Sequence, residues 1–237
     1  MTIEINSNIT PALHPTNLEK LDGIDEETLP VIGHAVAAFS EAYSGLGQVF
    51  SAREAAKTNP AWNETQQILA TADLSDKVFE KVAKRMDSSR ASLEAGIAHL
   101  TKEMSQPLES RASHPVSAEI RAHVKGLPTA ARVGFIKQAI DAGDHETVRA
   151  VCGAPSYLSG LEPGMQQSLT RLYHEKANPT MAKRLKALTS AKDYIEKNGS
   201  LVLKELERAV GLAPHRVERL RKAKSAAEQA FVLKDVA

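Results

Sequence analysis

Residues 75–110 carry the pattern of one long helix. Apolar side chains recur there in steps of four, four and three residues, and serine takes a single position of the repeat. Because eleven residues in three turns is close to the natural pitch of an α-helix, this stripe stays straight or winds slightly right-handed. The pattern predicts a helix about 50 Å long. The stripe consists of Val78, Val82, Met86, Ser89, Leu93, Ile97, Leu100, Met104 and Leu108.

The remainder of the chain also favours helices over strands. Ala, Leu, Glu, Lys and Arg fill most windows, and alternating runs of β-branched and aromatic residues do not occur. Proline after a capping residue marks helix starts, and glycine marks helix ends. The fold class is therefore all-α, with a long N-terminal hendecad-type helix and a C-terminal bundle of shorter helices. The predicted helices are 27–57, 60–72, 75–110, 116–125, 129–142, 144–151, 163–176, 179–198, 200–210 and 214–234.

Three regions follow from this pattern. Residues 1–25 have turn chemistry and little periodicity, which predicts a flexible arm that orders only against another surface. Residues 26–112 form the long-helix region, and residues 113–237 form the C-terminal helical bundle. The division falls at QPLESRASHP (106–115), where two prolines interrupt the helical pattern.

Residues 29–50 are apolar and rich in glycine and alanine. Small residues allow close backbone approach, so tight helix–helix packing is the first interpretation. Glu41, His34 and several serines make a constitutive membrane span a poor fit. A helix that enters a membrane only after a conformational change is the alternative.

The charge is distributed unevenly along the chain. Residues 1–100 carry 8 Lys or Arg and 14 Asp or Glu, whereas residues 101–237 carry 22 and 15, and the formal net charge is +1. An acidic front and a basic tail can bind a neighbouring copy or an acidic surface, or they can be two solvated faces with no partner.

The residues that usually carry chemistry are scattered. The eight histidines form no zinc-hydrolase pattern, and Cys152 follows an apolar run that predicts a buried thiol. No phosphate-binding loop and no nucleophile elbow occurs. We therefore expect no enzymatic activity, no catalytic residue, no cofactor and no metal site. No charged-then-apolar leader opens the chain, which predicts a cytoplasmic protein.

Residues 203–221, LKELERAVGLAPHRVERLR, resemble the helix-turn-helix of transcriptional regulators. The resemblance implies that Gly211 makes the turn and that the helix from Pro214 enters the major groove. Glu207 departs from the pattern, because the family has a small residue there; a structural corner between two helices is the alternative. The implied nucleic-acid contacts are His215, Arg216, Arg219, Lys222 and Lys224.

Residues 139–161, AIDAGDHETVRAVCGAPSYLSGL, resemble a segment of uncharacterised helical proteins from tailed-phage and prophage structural modules. The segment covers about a tenth of the chain and transfers no functional residue. The resemblance implies a virion or assembly context, with the protein in the host cytoplasm during assembly and then in the particle.

Together these features predict a non-enzymatic structural or assembly protein, a component of a tailed-phage virion that works by helix packing and docking. Its expected partners are further copies of the chain or other virion proteins, with nucleic acid as a candidate partner of the basic C-terminal face and no membrane. A DNA-binding regulator is the alternative, and a phage delivery protein with a conditionally inserting helix is the third hypothesis. The long helix packs either on helices of its own chain or on copies of itself, because the stripe alone does not count partners. In the second case the predicted partner interface consists of Val82, Leu93, Ile97, Leu100 and Met104.

Overall fold

The protein is described by a computed structural model that covers residues 4–109 and 115–231. Within these ranges the chain is all-α and contains no strand, which confirms the predicted fold class. It divides into two compact units. The first comprises Met1–Glu94 and Ala187–Ala237, and the second comprises Ala95–Lys186.

Ten α-helices cover most of the described residues. Two short 3-10 helices, Pro11–Leu13 and Leu29–Ile32, precede and follow the first of them. The α-helices are α1 (Thr16–Glu19), α2 (Gly33–Lys57), α3 (Glu64–Met104), α4 (Pro115–Gly126), α5 (Thr129–Ala142), α6 (His145–Cys152), α7 (Ser156–Ser159), α8 (Pro163–Ala177), α9 (Pro179–Val210) and α10 (Pro214–Gln229).

Helices α3 and α9 each replace two helices of the sequence prediction. Helix α3 begins at Glu64 rather than at residue 60, because Asn63 and Gln66 form a reciprocal capping box: each side chain accepts a hydrogen bond from the other's main-chain N–H. Helix α9 continues through the predicted stop at residues 198–199. Asn198 bonds its own helix there by donating to the carbonyl of Tyr194.

The division into units differs from the predicted boundary near residues 106–115. Val217 of the C-terminal helix shares a small core with Leu69 and Ala72 of α3, so this helix packs with the N-terminal part of the chain rather than with the middle. Residues 110–114 of the predicted linker, and the predicted end of the last helix at 232–234, lie outside the described residues.

The predicted arm, residues 1–25, packs on the first unit from Ile9 onward. Ile9, Leu13 and Leu18 are buried, and α1 contacts α2. Side chains of the long helices bind its main chain. The Tyr43 hydroxyl accepts from the Asn6 N–H at 2.7 Å, and the Tyr194 hydroxyl donates to the Ala12 carbonyl at 2.6 Å. The described part of the segment from Ile9 onward is thus packed against its own chain.

Helix α2 lies in the core of the first unit. Its small residues allow close packing as predicted: a Cβ at Gly45 would lie 2.7 Å from Val78 Cγ1 of α3. Phe39 and Leu46 are fully buried. In the described ranges no helix combines the length and apolar character needed to cross a bilayer, and residues 29–50 are no exception.

The second unit is a bundle of short helices. Helix α4 packs on α6 and α7, and α5 packs on α6 and α8. As predicted, α5 ends directly before Gly143 and α6 begins directly after Asp144. Gly143 has φ +71°, and the Asp144 carboxylate accepts a hydrogen bond from the Thr147 N–H at 3.0 Å. The buried core includes Val124, Ile136, Ile140, Val148, Val151, Leu161, Leu169 and Tyr173.

Candidate functional site

The stripe on α3 faces the interior of the chain. Val82, Leu93 and Met104 are buried, and Ile97 and Leu100 are half-buried. Since three of the five predicted interface residues are already covered within one chain, the stripe belongs to the chain's own core over most of its length. Of the five residues, Ile97 and Leu100 keep part of their surface exposed.

An apolar groove runs between α3 and α9 in the first unit. Phe79 of α3 is 40% exposed and Leu203 of α9 is 46% exposed. Both side chains line two neighbouring pockets, of about 160 Å³ and about 350 Å³, so the two pockets form one groove. The smaller pocket is also bordered by α10 and is lined by Ala72, Leu206, Val210, Leu212 and Val217. The larger is lined by Val82, Met86, Ile195 and Val202.

The charged residues that line the apolar groove are mostly acidic. Arg221 is held by two carboxylates, donating to Asp73 at 2.7 Å and to Asp76 at 2.6 Å. These two hydrogen bonds, with Asp76 the larger influence, raise the pKa of Arg221 above its usual value. Arg90 lies 3.8 Å from Asp87. The lining acids are Asp76, Asp87, Glu196 and Glu207, and the lining bases are Arg90 and Arg221.

The corner between α9 and α10 follows the predicted helix-turn-helix segment. Gly211 has φ +76°, a conformation that side chains with a Cβ disfavour. The Arg53 guanidinium of α2 fills the space beside it and donates to the carbonyls of Arg208 and Ala209 at 3.3 and 3.4 Å. Val217 anchors α10 in a small core with Leu69, Ala72 and Val210.

Glu207, the departure from the helix-turn-helix pattern, is exposed and lines the apolar groove beside Pro214. A large acidic side chain therefore borders the space between α9 and α10, at the position where the family has a small residue.

The structure brings together four of the five predicted nucleic-acid contacts. His215, Arg219 and Lys222 share the outer face of α10, because they are spaced four and three residues apart, and Arg216 lies at its edge. All four are exposed. Lys224 lies on a different side of α10, because it follows the buried Val217 by seven residues. Its ammonium is 3.8 Å from the Glu228 carboxylate. We call the four residues the basic face of α10.

The thiol of the second unit is buried as predicted. Cys152 is 6% exposed, and burial raises the pKa of its thiol to about 12. Across residues 4–109 and 115–231, no group of three His, Cys, Asp or Glu side chains could hold a metal ion.

The sequence interpretation missed the two side chains that define the groove. Phe79 follows Val78 of the stripe by one residue, and Leu203 follows the buried Val202 by one residue. A large apolar residue immediately after a stripe position points about 100° away from the core, so this offset is the signal that identifies such a groove.

The chain matches no known protein-family model, and it has no significant match among curated proteins or solved structures. Function is therefore inferred from the contacts and charges of the chain itself.

Proposed function

We propose that this protein is a non-enzymatic assembly component of a tailed-phage particle, and that it works by docking an apolar segment of a partner in the groove between α3 and α9. The observation that carries the proposal is the joint exposure of Phe79 and Leu203 above two adjoining pockets.

A groove of this kind fits recognition of a helical or extended segment. Contiguous exposed apolar surface with a charged rim is typical of protein–protein contact sites. Segments that bind such grooves insert large apolar side chains as anchors, and rim charges set their orientation. Arg221 binds Asp76 and Lys192 binds Glu196, so the exposed apolar side chains rather than the lining acids would select the segment.

The particle context comes from the resemblance of residues 139–161 to tailed-phage structural-module proteins. In the structure this segment runs from the end of α5 through α6 and α7 to Leu161. It lies in the second unit, so it supports the context of assembly without assigning a role to the groove.

The test is the composition of particles. Cells that carry the gene with its neighbours are induced, particles and assembly intermediates are separated on density gradients, and the chain is quantified by mass spectrometry against the capsid protein. A fixed copy number per particle or intermediate is expected. A chain absent from both, in cells that produce mature particles, contradicts the proposal. Leu203→Glu should prevent its incorporation, whereas Tyr157→Glu, at a 71% exposed position of the second unit, should not.

A second candidate function, DNA binding, is favoured by the basic face of α10. None of its four side chains has a hydrogen bond or ion pair to the described residues, whereas Arg221 and Lys224 of the same helix are near carboxylates. Exposed arginines and lysines on one side of a helix that follows a tight turn are suited to phosphate and base contacts.

Gel retardation of duplex DNA over a series of salt concentrations tests this function. Replacing Arg219 and Lys222 together by alanine should lower the slope of log affinity against log salt by about two if both contact phosphate. Lys224→Ala is the matched control and should leave the slope unchanged. A regulator also requires a sequence preference; equal affinity for all duplexes favours packaged DNA or a nonspecific surface.

A further inference from the structure

We infer that the basic face of α10 binds the phosphates along one strand of a DNA duplex and does not read the bases. The inference rests on the second candidate function, DNA binding, and names the part of the duplex that the protein contacts.

The positive charges of the basic face are not neutralised within residues 4–109 and 115–231. Arg216, Arg219 and Lys222 are exposed, and none of them has a hydrogen bond or an ion pair to a residue in these ranges. The other two cations of the helix, Arg221 and Lys224, are near carboxylates. Three exposed cations without a counter-charge on one helix face favour an anionic partner.

The two flanks of the basic face differ in charge. Arg216 and Glu218 are the residues immediately before and after the buried Val217, so each lies about 100° from it, in opposite directions around the helix. Arg219 lies between the two flanks on the outer side. One flank of the outer side is therefore basic and the other is acidic.

A second acid borders the acidic flank. Glu207 of α9 lines the smaller pocket together with Pro214 and Arg221 of α10. With 3.6 residues per turn, Pro214 and Arg221 lie between Val217 and Glu218 around the helix. The side of α10 opposite to Arg216 thus carries negative charge on two neighbouring helices.

This asymmetry favours one phosphate strand over insertion in the major groove. The groove is about 12 Å wide and a helix with its side chains is about 10–12 Å across, so an inserted helix has phosphates on both flanks. Insertion of α10 would place Glu218 against one of the strands. Along a single strand, Arg216 and Arg219 can face phosphates while Glu218 faces solvent.

The side chains of the outer face also argue against other partners. Beyond Lys222 this side of the helix continues with Ala223, Ala226 and Ala230, all exposed. Among these described residues there is no large apolar side chain to anchor a protein interface or to enter a bilayer. There is also no Phe, Tyr or Trp on which the bases of a single strand could stack. Positive charge without such groups fits the phosphates of a duplex.

The length of the face sets the number of contacts. Arg216 and Lys222 are six residues apart, which is about 9 Å along the helix. One strand of a duplex advances about 3.4 Å per nucleotide, so the three cations can each neutralise one of about three successive phosphates. The slope of log affinity against log salt should then be about −2.7.

Fluorescence anisotropy of labelled duplexes, titrated with the purified full-length chain over a series of salt concentrations, tests the inference. Duplex DNAs of unrelated sequence should bind with affinities within about threefold of one another, because phosphates carry no sequence information. A duplex RNA should bind about as well as DNA. Its major groove is too narrow for side chains to read, but its phosphates remain accessible.

Two substitutions of the same arginines separate charge from base recognition. Replacing Arg216 and Arg219 together by lysine keeps both charges but removes the planar guanidinium that pairs with a base edge, so affinity should stay within about threefold. Replacing both by glutamine should lower the slope by about 1.8. Lys224→Gln, on another side of α10, is the matched control and should leave the slope unchanged. Circular dichroism checks that each variant retains its helices.

Three results would overturn the inference and leave DNA binding intact: a sequence preference above about tenfold, a tenfold loss in the lysine variant, or tenfold weaker binding to duplex RNA. Displacement of the DNA by polyglutamate at equal charge concentration would also overturn it, by assigning the face to an acidic protein. A wild-type chain that binds no duplex even at low salt would overturn the second candidate function itself.

Discussion

The side-chain hydrogen bonds within the two units differ in the sequence separation of their partners. In the second unit, Arg121, Arg132 and Gln166 bind carbonyl oxygens that lie 14 to 29 residues away in sequence, and the His174 ring bonds the Gln106 carbonyl, 68 residues away. In the first unit, four side chains bind carbonyl oxygens that lie 155 to 200 residues away, so these hydrogen bonds join the early and late parts of the chain. Arg53 donates to the carbonyls of Arg208 and Ala209. Ser190 donates to the Asp22 carbonyl, Tyr194 to the Ala12 carbonyl and Arg208 to the Asn8 carbonyl.

The two units also differ in how their chain is arranged. The second unit is one continuous segment, and its thiol is buried. The first unit forms only when two distant segments meet, and the place where α3, α9 and α10 come together leaves a groove. Four predictions probe this contrast.

The largest expected effect concerns the reactivity of Cys152. A pKa raised by burial to about 12 leaves about a thousandfold less thiolate near neutral pH than an ordinary thiol has. Folded protein should therefore react with a disulfide reagent at pH 8 about a thousandfold more slowly than urea-unfolded protein. Absorbance of the released chromophore measures both rates. Similar rates would show that the Cys152 thiol is accessible and readily ionised in the folded protein.

Arg132 should be the most sensitive polar residue of the second unit. Its guanidinium donates to the carbonyls of Lys125, Leu127 and Gly160, which joins the ends of α4 and α7. Arg132→Met leaves these acceptors without their charged donor and should cost about 3 kcal/mol. Hydrogen exchange of residues 115–177 measures the loss. The exposed Arg149 is the control. Arg149→Met should change the free energy of unfolding obtained from hydrogen exchange by less than about 0.5 kcal/mol.

Tyr194→Phe should loosen the first unit without affecting the second. The variant loses the hydrogen bond to the Ala12 carbonyl, worth about 1 kcal/mol. Hydrogen exchange of the main-chain amides should accelerate about fivefold in residues 9–24, because this hydrogen bond fixes the N-terminal segment on α9. Tyr157→Phe, at an exposed position, should have no effect. Equal acceleration in both units would contradict the separation of their contacts.

The smallest expected effect is that of the cap at Asp144. Asp144→Ala should destabilise α6 by about 1 kcal/mol at pH 7, whereas Asp144→Asn retains a capping acceptor. Hydrogen bonds from the Thr147 side chain, and then from its main chain, lower the pKa of Asp144. The charge-dependent part of the stabilisation is therefore present above about pH 4 and is lost as the pH falls through the lowered pKa. Exchange of residues 145–152 at pH 7 and pH 3 measures the change.

The sequence predicted the second unit better than the first. The ends of α5, α6 and α8 follow from local signals such as Gly143, Asp144 and Pro163, and the structure places them within one or two residues. In the first unit, Asn63 and Gln66 cap α3 through a pattern that the proline at residue 60 obscured, and Gly199 does not stop α9. Tertiary packing there outweighs local preference.

The same limit applies to the candidate site. The exposed positions of His215, Arg216 and Arg219 follow from the periodicity of α10, which is a local property. The groove depends on Phe79 and Leu203, which lie 124 residues apart and line the same pockets only after α3 and α9 have packed. Periodicity on one helix cannot reveal which second helix lies beside it.

The discontinuity of the first unit has a consequence for biosynthesis. Its N-terminal segment is translated before residues 95–186, and its last helices follow them. At 5–20 residues per second, this interval lasts roughly 5 to 20 s. During that time the nascent α2–α3 hairpin lacks α9 and α10 to cover it, while the middle segment already contains its whole bundle. The middle of the polypeptide should therefore mature first on the ribosome, and the early hairpin is the part that a chaperone would be expected to shield.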